Sequence, residues 1–174
     1  MLERRISTKR IYEGKVLNLR VDEVKLENGS VARREVVEHL GATAIVPILP
    51  ENEVLLVRQY RYPTGSDLLE IPAGTLKANE DPKECAVREL EEETGYRCEE
   101  ITKMTECFVA PGYSTEKIHI YLAKRLTKTE TKMDEDESIT LELCQFSEAL
   151  EKIRTGEIRD AKSIVGLQTA AGLL

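Results

Sequence analysis

Glu89, Glu92 and Glu93 fall on one arc of a helix whose limits the sequence itself sets. Asp81 is the N-cap, Pro82 takes the first helical position, and Glu84 stands where a capping box places a carboxylate. Gly95 supplies the left-handed residue that ends the helix, which therefore spans about 82–94. At about 100° per residue, Ala86, Val87, Leu90 and Thr94 form the buried stripe, and the three acids occupy the adjacent arc. Glu84 and Glu91 point elsewhere. Glu89 and Glu93 are like charges one turn apart, which costs an isolated helix about 0.2–0.5 kcal/mol. Arg88 can offset Glu91 or Glu92, but no Lys or Arg lies within helical reach of every acid. A hard divalent cation such as Mg²⁺ suits that vacancy, because it takes oxygen ligands and shares its coordination sphere with substrate phosphates. A solvated acidic face is the other reading, and these residues alone leave both open.

Other residue types bear on the same chemistry. A second acidic run, KMDEDESI (132–139), reads on its own as a solvated hairpin. Substrate anions need local cations, and Arg33, Arg34, Arg58 and Arg61 are the candidates, since guanidinium groups clamp phosphate oxygens. Arg33 and Arg58 read better as surface arginines at strand ends. Tyr12, Tyr60 and Tyr113 can stack on a base, although packing is the commoner use. His39 and His119 read as ordinary strand residues. The four cysteines (85, 98, 107 and 144) contain no CxxC, and neither histidine has zinc-ligand spacing from a cysteine pair. They read as free thiols in a reducing cytoplasm, with Cys85 in a packing role.

The elements that must carry these groups alternate between strands and helices. Residues GKVLNLRVDEVKL alternate apolar and polar, and ENGS offers a hairpin turn before VARREVVEH. Residues 43–49 and 54–60 are continuous apolar runs of the kind that form strands buried on both faces, with a PENE turn between them. A long connection containing Pro63, Gly65, Pro72 and Gly74 follows. Strands are expected over 101–109, 117–123 and 139–146, and further helices over 147–156, with Ser147 as N-cap and Gly156 as stop, and from Asp160 onward. The sum is a mixed sheet with few covering helices, an α/β sandwich.

With 174 residues the chain suits a self-sufficient core, and 41% hydrophobic with 33% charged residues excludes disorder. No apolar run reaches the roughly 20 residues of a membrane span, and the basic start MLERRISTKR lacks the apolar stretch of a secretory signal. The net charge of −7 argues against a broad nucleic-acid-binding face.

From Gly74 to Tyr96 the chain resembles the Nudix box, G-x5-E-x7-R-E-U-x-E-E-x-G-U, with Gly74, Glu80, Arg88, Glu89, Leu90, Glu92, Glu93 and Gly95 in place and Tyr96 where an aliphatic residue is usual. Outside the box, Pro111 in APGYSTE, LLEIPAG (68–74) and VRQYR (57–61) resemble the ADP-ribose pyrophosphatase branch. The resemblance implies an α/β class of fold, the Nudix α/β/α sandwich with a mixed sheet and an N-terminal antiparallel strand extension. It divides the chain into residues 1–40, dimerising strands, and 41–174, the hydrolase domain. It implies an enzyme: Mg²⁺-dependent (Mn²⁺ is the alternative cation) hydrolysis of ADP-ribose to AMP and ribose 5-phosphate by a cytoplasmic homodimer. By position, Ala73 (through its carbonyl), Glu89, Glu93 and Glu137 would be metal ligands. Arg88 and Glu92 would join Glu135, the loop base, in catalysis, with Glu80 assisting from outside. Arg34, Arg61, Glu70, Gly112 and Glu116 would contact substrate, and Asp134 and Asp136 would be solvated. Other readings are a pyrophosphatase for a different nucleoside diphosphate sugar, a triphosphate-cleaning enzyme, and a binding module that has lost hydrolysis. The intact acids and Arg88 argue against the last.

Overall fold

The computed structural model describes residues 2–129 and 139–174. The alternating N-terminal segments form β2 (Asn18–Lys25) and β3 (Val31–Glu38), and the basic start, which their pattern does not include, adds β1 (Arg4–Glu13) to make an antiparallel sheet in the order β1-β2-β3. The β2–β3 turn depends on Gly29 at φ +87°, and Asn28 Oδ1 accepts from the Ser30 N–H at 3.0 Å. Every residue of β1 is exposed. Backbone contacts group this sheet with Cys107–Lys117, and Met1–Gly41 with that segment form one compact unit.

The second unit holds Ala42–Glu106 and Ile118–Leu174. The apolar runs become β4 (Ala42–Pro47) and β5 (Glu53–Arg61), joined by a short 3-10 turn at Pro50–Asn52. The stretch expected as a plain connection instead contains two short strands, β6 (Ser66–Glu70) and β7 (Ala73–Thr75). Each is an edge strand, where a neighbouring proline or glycine is tolerated. Helix α1 (Pro82–Thr94) is followed by β8 (Tyr96–Phe108), β9 (Lys117–Lys128), β10 (Ile139–Gln145), α2 (Phe146–Thr155) and α3 (Ala161–Ala171). Strand orders are β10-β5-β6 and β7-β4-β9-β8, and the parallel β4–β9 pair makes the second sheet mixed.

Strand alternation divides the core. Ile45 and Tyr121 pack with Ala86 and Leu90 of α1, whereas the adjacent Val46 and Ile120 lie beneath Gly166 of α3. Helices on opposite faces of one sheet make the α/β/α sandwich. Two helix details differ from the periodicity reading. Val87 is only half-buried, while Cys85 and Glu93 are buried, so the covered stripe of α1 is rotated toward the acids. Gln145, without a side-chain cap, precedes α2 in place of Ser147, because Phe146 enters the first turn to be buried.

Candidate active site

Asp81 Oδ1 accepts from the Lys83 and Glu84 N–H groups at 2.8 and 3.3 Å, and Gly95 closes α1 at φ +68°. Local rules thus fix the two ends of the helix that carries the acids. Strand β7 then runs against it. The Ala73 N–H donates to Glu93 Oε2 at 3.0 Å, and Glu93 is 5% exposed. A Cβ built on Gly74 would stand 1.8 Å from the Glu89 carboxyl carbon, so only glycine leaves that carboxylate its place. Glu89, Glu93 and the Ala73–Gly74 main chain therefore converge.

Arg88 organises the other side of the helix. Its Nε meets Glu80 Oε1 at 2.9 Å, its Nη1 meets Glu89 Oε1 at 2.6 Å and Glu92 Oε2 at 2.8 Å, and its Nη2 donates to Cys85 Sγ at 3.3 Å. Glu80 also accepts from the Lys77 N–H at 2.8 Å. The Arg88 hydrogen bond, partly opposed by desolvation, holds the Glu80 carboxyl down at about 2, and Glu80 in turn raises the Arg88 guanidinium. Burial pushes the Cys85 thiol up to about 11 and leaves it a packing group that also accepts from Thr43 Oγ1. The helix is less short of positive charge than its own spacing indicates. Arg88 bridges three acids, and Glu91 pairs with Arg97 across the helix end at 2.8 Å.

The donor set fits a hard cation. Two carboxylates and main-chain oxygen are the right chemistry, and the Gly74 cradle keeps Glu89 beside that main chain. Among the described residues no three His, Cys, Asp or Glu side chains gather into a metal-holding group.

A second cluster lies in the same unit. Glu70, 2% exposed, accepts from Arg61 Nε at 3.1 Å and Nη2 at 2.7 Å, and also from Lys162. Burial pushes the Glu70 carboxyl up, but Arg61 and Lys162 outweigh it and hold it below the usual range. Glu70 raises the Arg61 guanidinium, which also feels Glu93 and Asp160. Arg58 instead braces β10 and the α2–α3 connection through Glu142 and Glu157, as a structural arginine.

In the N-terminal unit Arg34 pairs with Glu3 at 2.6 Å and the exposed Arg33 faces Glu23 at 3.9 Å. Gly112 sits in the turn closed by the Tyr113 and Ser114 N–H groups on the Ala110 carbonyl, with open space where a Cβ would be. Glu116 stands 3.8 Å from His39 Nδ1, which accepts from the Gly41 N–H. Asp134, Glu135, Asp136 and Glu137 lie outside the described residues. Lys162 was absent from the sequence reading. Its signal was faint, a lysine two residues past a helix N-cap whose partner Glu70 is 92 residues away.

Residues 38–165 match the model of the NUDIX domain, and residues 3–37 match that of the nucleoside diphosphate sugar hydrolase N-terminal domain. The chain belongs to the Nudix family and is a Nudix hydrolase. It is 44% identical over 168 residues to the methanol dehydrogenase activator of Bacillus methanolicus, and 39% identical over 168 residues to the ADP-ribose pyrophosphatase of Bacillus subtilis. Each alignment covers 95% of this chain and 91% of the relative. A crystal structure described as ADP compounds hydrolase shares the fold at TM-score 0.89 and 22% identity, over 100% of this chain and 95% of that one.

Proposed function

We propose that the protein hydrolyses the pyrophosphate of ADP-ribose, adding water to give AMP and ribose 5-phosphate, with Mg²⁺ as its cation. The observation that carries the chemistry is the convergence of Glu89 and Glu93 on the Ala73–Gly74 strand beside the Arg88 clamp. Similarity to the Bacillus subtilis ADP-ribose pyrophosphatase along nearly the whole chain supports the substrate.

Glu89, Glu93, the Ala73 carbonyl and Glu137 would hold the cation, whose chemistry when bound would be to neutralise phosphate charge and lower the pKa of a water. Arg88 keeps Glu89 and Glu92 in fixed rotamers, so the site needs no rearrangement when substrate arrives. Glu80 anchors Arg88 from behind. Arg61 and Arg34 meet phosphate and ribose oxygens, Glu70 sets the orientation of Arg61, and Gly112 and Glu116 contact the substrate from their loop. Glu135 takes the proton from the attacking water. Hydrolysis of another nucleoside diphosphate sugar is the second reading, favoured by the match of residues 3–37 to that class of N-terminal domain.

The protein acts as a homodimer through its N-terminal strands, residues 1–40, leaving 41–174 as the hydrolase domain. The exposed Ile6, Ile11 and Tyr12 on β1 support this, since a strand with so much bare apolar surface needs a cover. The four free cysteines support a cytoplasmic setting. No helix among the described residues is long and apolar enough to cross a membrane.

The test is product analysis of ADP-ribose, GDP-mannose and dGTP, each incubated with the protein and Mg²⁺ and with EDTA as control. AMP formed fastest from ADP-ribose, and only with metal, is the expected result. Turnover mainly of GDP-mannose would keep the chemistry and change the substrate. Binding of ADP-ribose without turnover would make the protein a sensor.

A further inference from the structure

Lys162 is a part-buried cation that belongs neither to the Nudix box nor to the segments outside it that resemble the family. It sits in the first turn of α3, its side chain is 13% exposed, and its Nζ lies against both Glu70 and Asp160 Oδ2, the latter at 2.9 Å. Asp160 is held in turn by its cap bond to the Ser163 N–H at 3.1 Å. Ser163 Oγ accepts from the Ile71 N–H at 2.8 Å, so the same helix turn grips the residue after Glu70. The start of α3 therefore fixes Glu70 twice, by charge through Lys162 and by main chain through Ser163.

The ion pairs show what Lys162 does. Arg61 and Lys162 share the buried Glu70, and Lys162 also pairs with Asp160. With Lys162 present, Glu70 and Asp160 share a second cation, and Arg61 keeps capacity to meet an incoming anion. Without it, Arg61 would be the remaining cation for Glu70 and Asp160, whose side chains are 2% and 14% exposed, a setting where unpaired carboxylates are costly. The guanidinium already rests on Glu70 through two hydrogen bonds, so its charge would be cancelled there and the local field would turn against a diphosphate.

We infer that Lys162 is a positioning residue that neutralises Glu70 and Asp160 so that Arg61 is available to the diphosphate of the substrate. This rests on the assignment of Arg61 to substrate binding made above. Nothing in it depends on the bound metal, which gives a clean test.

The probe is ADP, titrated calorimetrically into the full-length protein in EDTA, so that only protein cations bind the phosphates. Wild type is compared with Lys162→Met, Lys162→Arg and the double variant Lys162→Met/Glu70→Gln, with thermal melts reporting the fold of each. Lys162→Met is expected to bind ADP about tenfold more weakly, the loss of one counter-charge at moderate effective dielectric. Lys162→Arg should restore most of the affinity. The double variant should recover part of it, because removing the Glu70 charge releases Arg61. With ADP-ribose and Mg²⁺, Lys162→Met should raise KM more than it lowers kcat. ADP affinity unchanged in a folded Lys162→Met, or no measurable ADP binding by wild type, overturns the inference. If Lys162→Met does not fold, the comparison of Lys162→Arg with Lys162→Gln decides: equal affinities overturn it, and a weaker Lys162→Gln upholds it. Failure of the ADP-ribose reading would appear separately, as wild type that binds ADP but does not turn ADP-ribose over.

Discussion

Single residues set the protonation and charge of this site. Glu80 illustrates a structural acid: its carboxyl is held at about 2 in the folded chain against an ordinary 4.5, mainly by the Arg88 hydrogen bond. A depressed carboxylate stabilises the fold above its unfolded pKa and loses that contribution as pH falls through the folded value. Glu80→Gln should therefore melt below wild type at pH 7, and the gap should narrow between about pH 4.5 and 2. Thermal melts across that range check it, and a gap that persists unchanged at pH 2 would remove the charge from the account. Glu93 tests the opposite case, an acid assigned to chemistry. Glu93→Gln keeps the shape and can still accept from the Ala73 N–H, so the fold should survive. Loss of a ligand charge should nevertheless lower kcat about 100-fold or more. Full activity in steady-state assays would discard the metal assignment.

At the scale of elements, the pairing of α1 with β7 matters most. A strand of three residues is placed by backbone bonds to β4, where Ala42 faces Thr75, Thr43 faces Gly74 and Ala44 faces Ala73. That register delivers Gly74 to the Glu89 carboxylate. Gly74→Ala should leave the fold intact, since the clashing atoms are the end of a flexible side chain, but it should swing Glu89 away. The expected outcome is about a tenfold higher Mg²⁺ requirement with little change in melting temperature. A metal titration of activity beside a melting curve reads both. A variant whose fold collapses while its metal requirement stays normal would show that Gly74 serves packing alone. The helix itself was legible from Asp81, Pro82 and Gly95, because caps act on their own first and last turns. Strands β6 and β7 were not. Pro63, Gly65, Pro72 and Gly74 punctuate the segment, and only pairing with β5 and β4 makes edge strands of what lies between.

The whole molecule divides its apolar surface unequally. The unit built on β4, β5 and β9 buries Ile45, Leu56, Leu69 and Ile120 completely, while β1 leaves Ile6 and Ile11 half or more exposed. That imbalance is what supports the proposed dimer through the N-terminal strands. Ile11→Arg should reduce the mass measured by sedimentation from twice the chain to once, because a charge cannot be buried unpaired in such an interface. A variant that still sediments as a dimer, or a wild type that is monomeric, would move the assembly elsewhere.

By itself the sequence determined what depends on neighbours along the chain. The capped helix 82–94, the alternating strands β2 and β3, and the residues of the Nudix box all follow from residues within a few turns of one another. Tertiary structure decided what depends on contacts far apart in the chain. Periodicity placed Val87 in the core and Glu93 beside it, yet β7 crosses α1 and buries Glu93 instead. Spacing left the acids short of cations, yet Arg88 reaches back eight residues to Glu80, and Arg97 returns from the next strand to Glu91. Lys162 joined Glu70 only because α3 packs on the sheet through Gly166, against Val46, Ile71 and Ile120. Burial and long-range ion pairs are properties of the folded surface, and a one-dimensional pattern does not carry them.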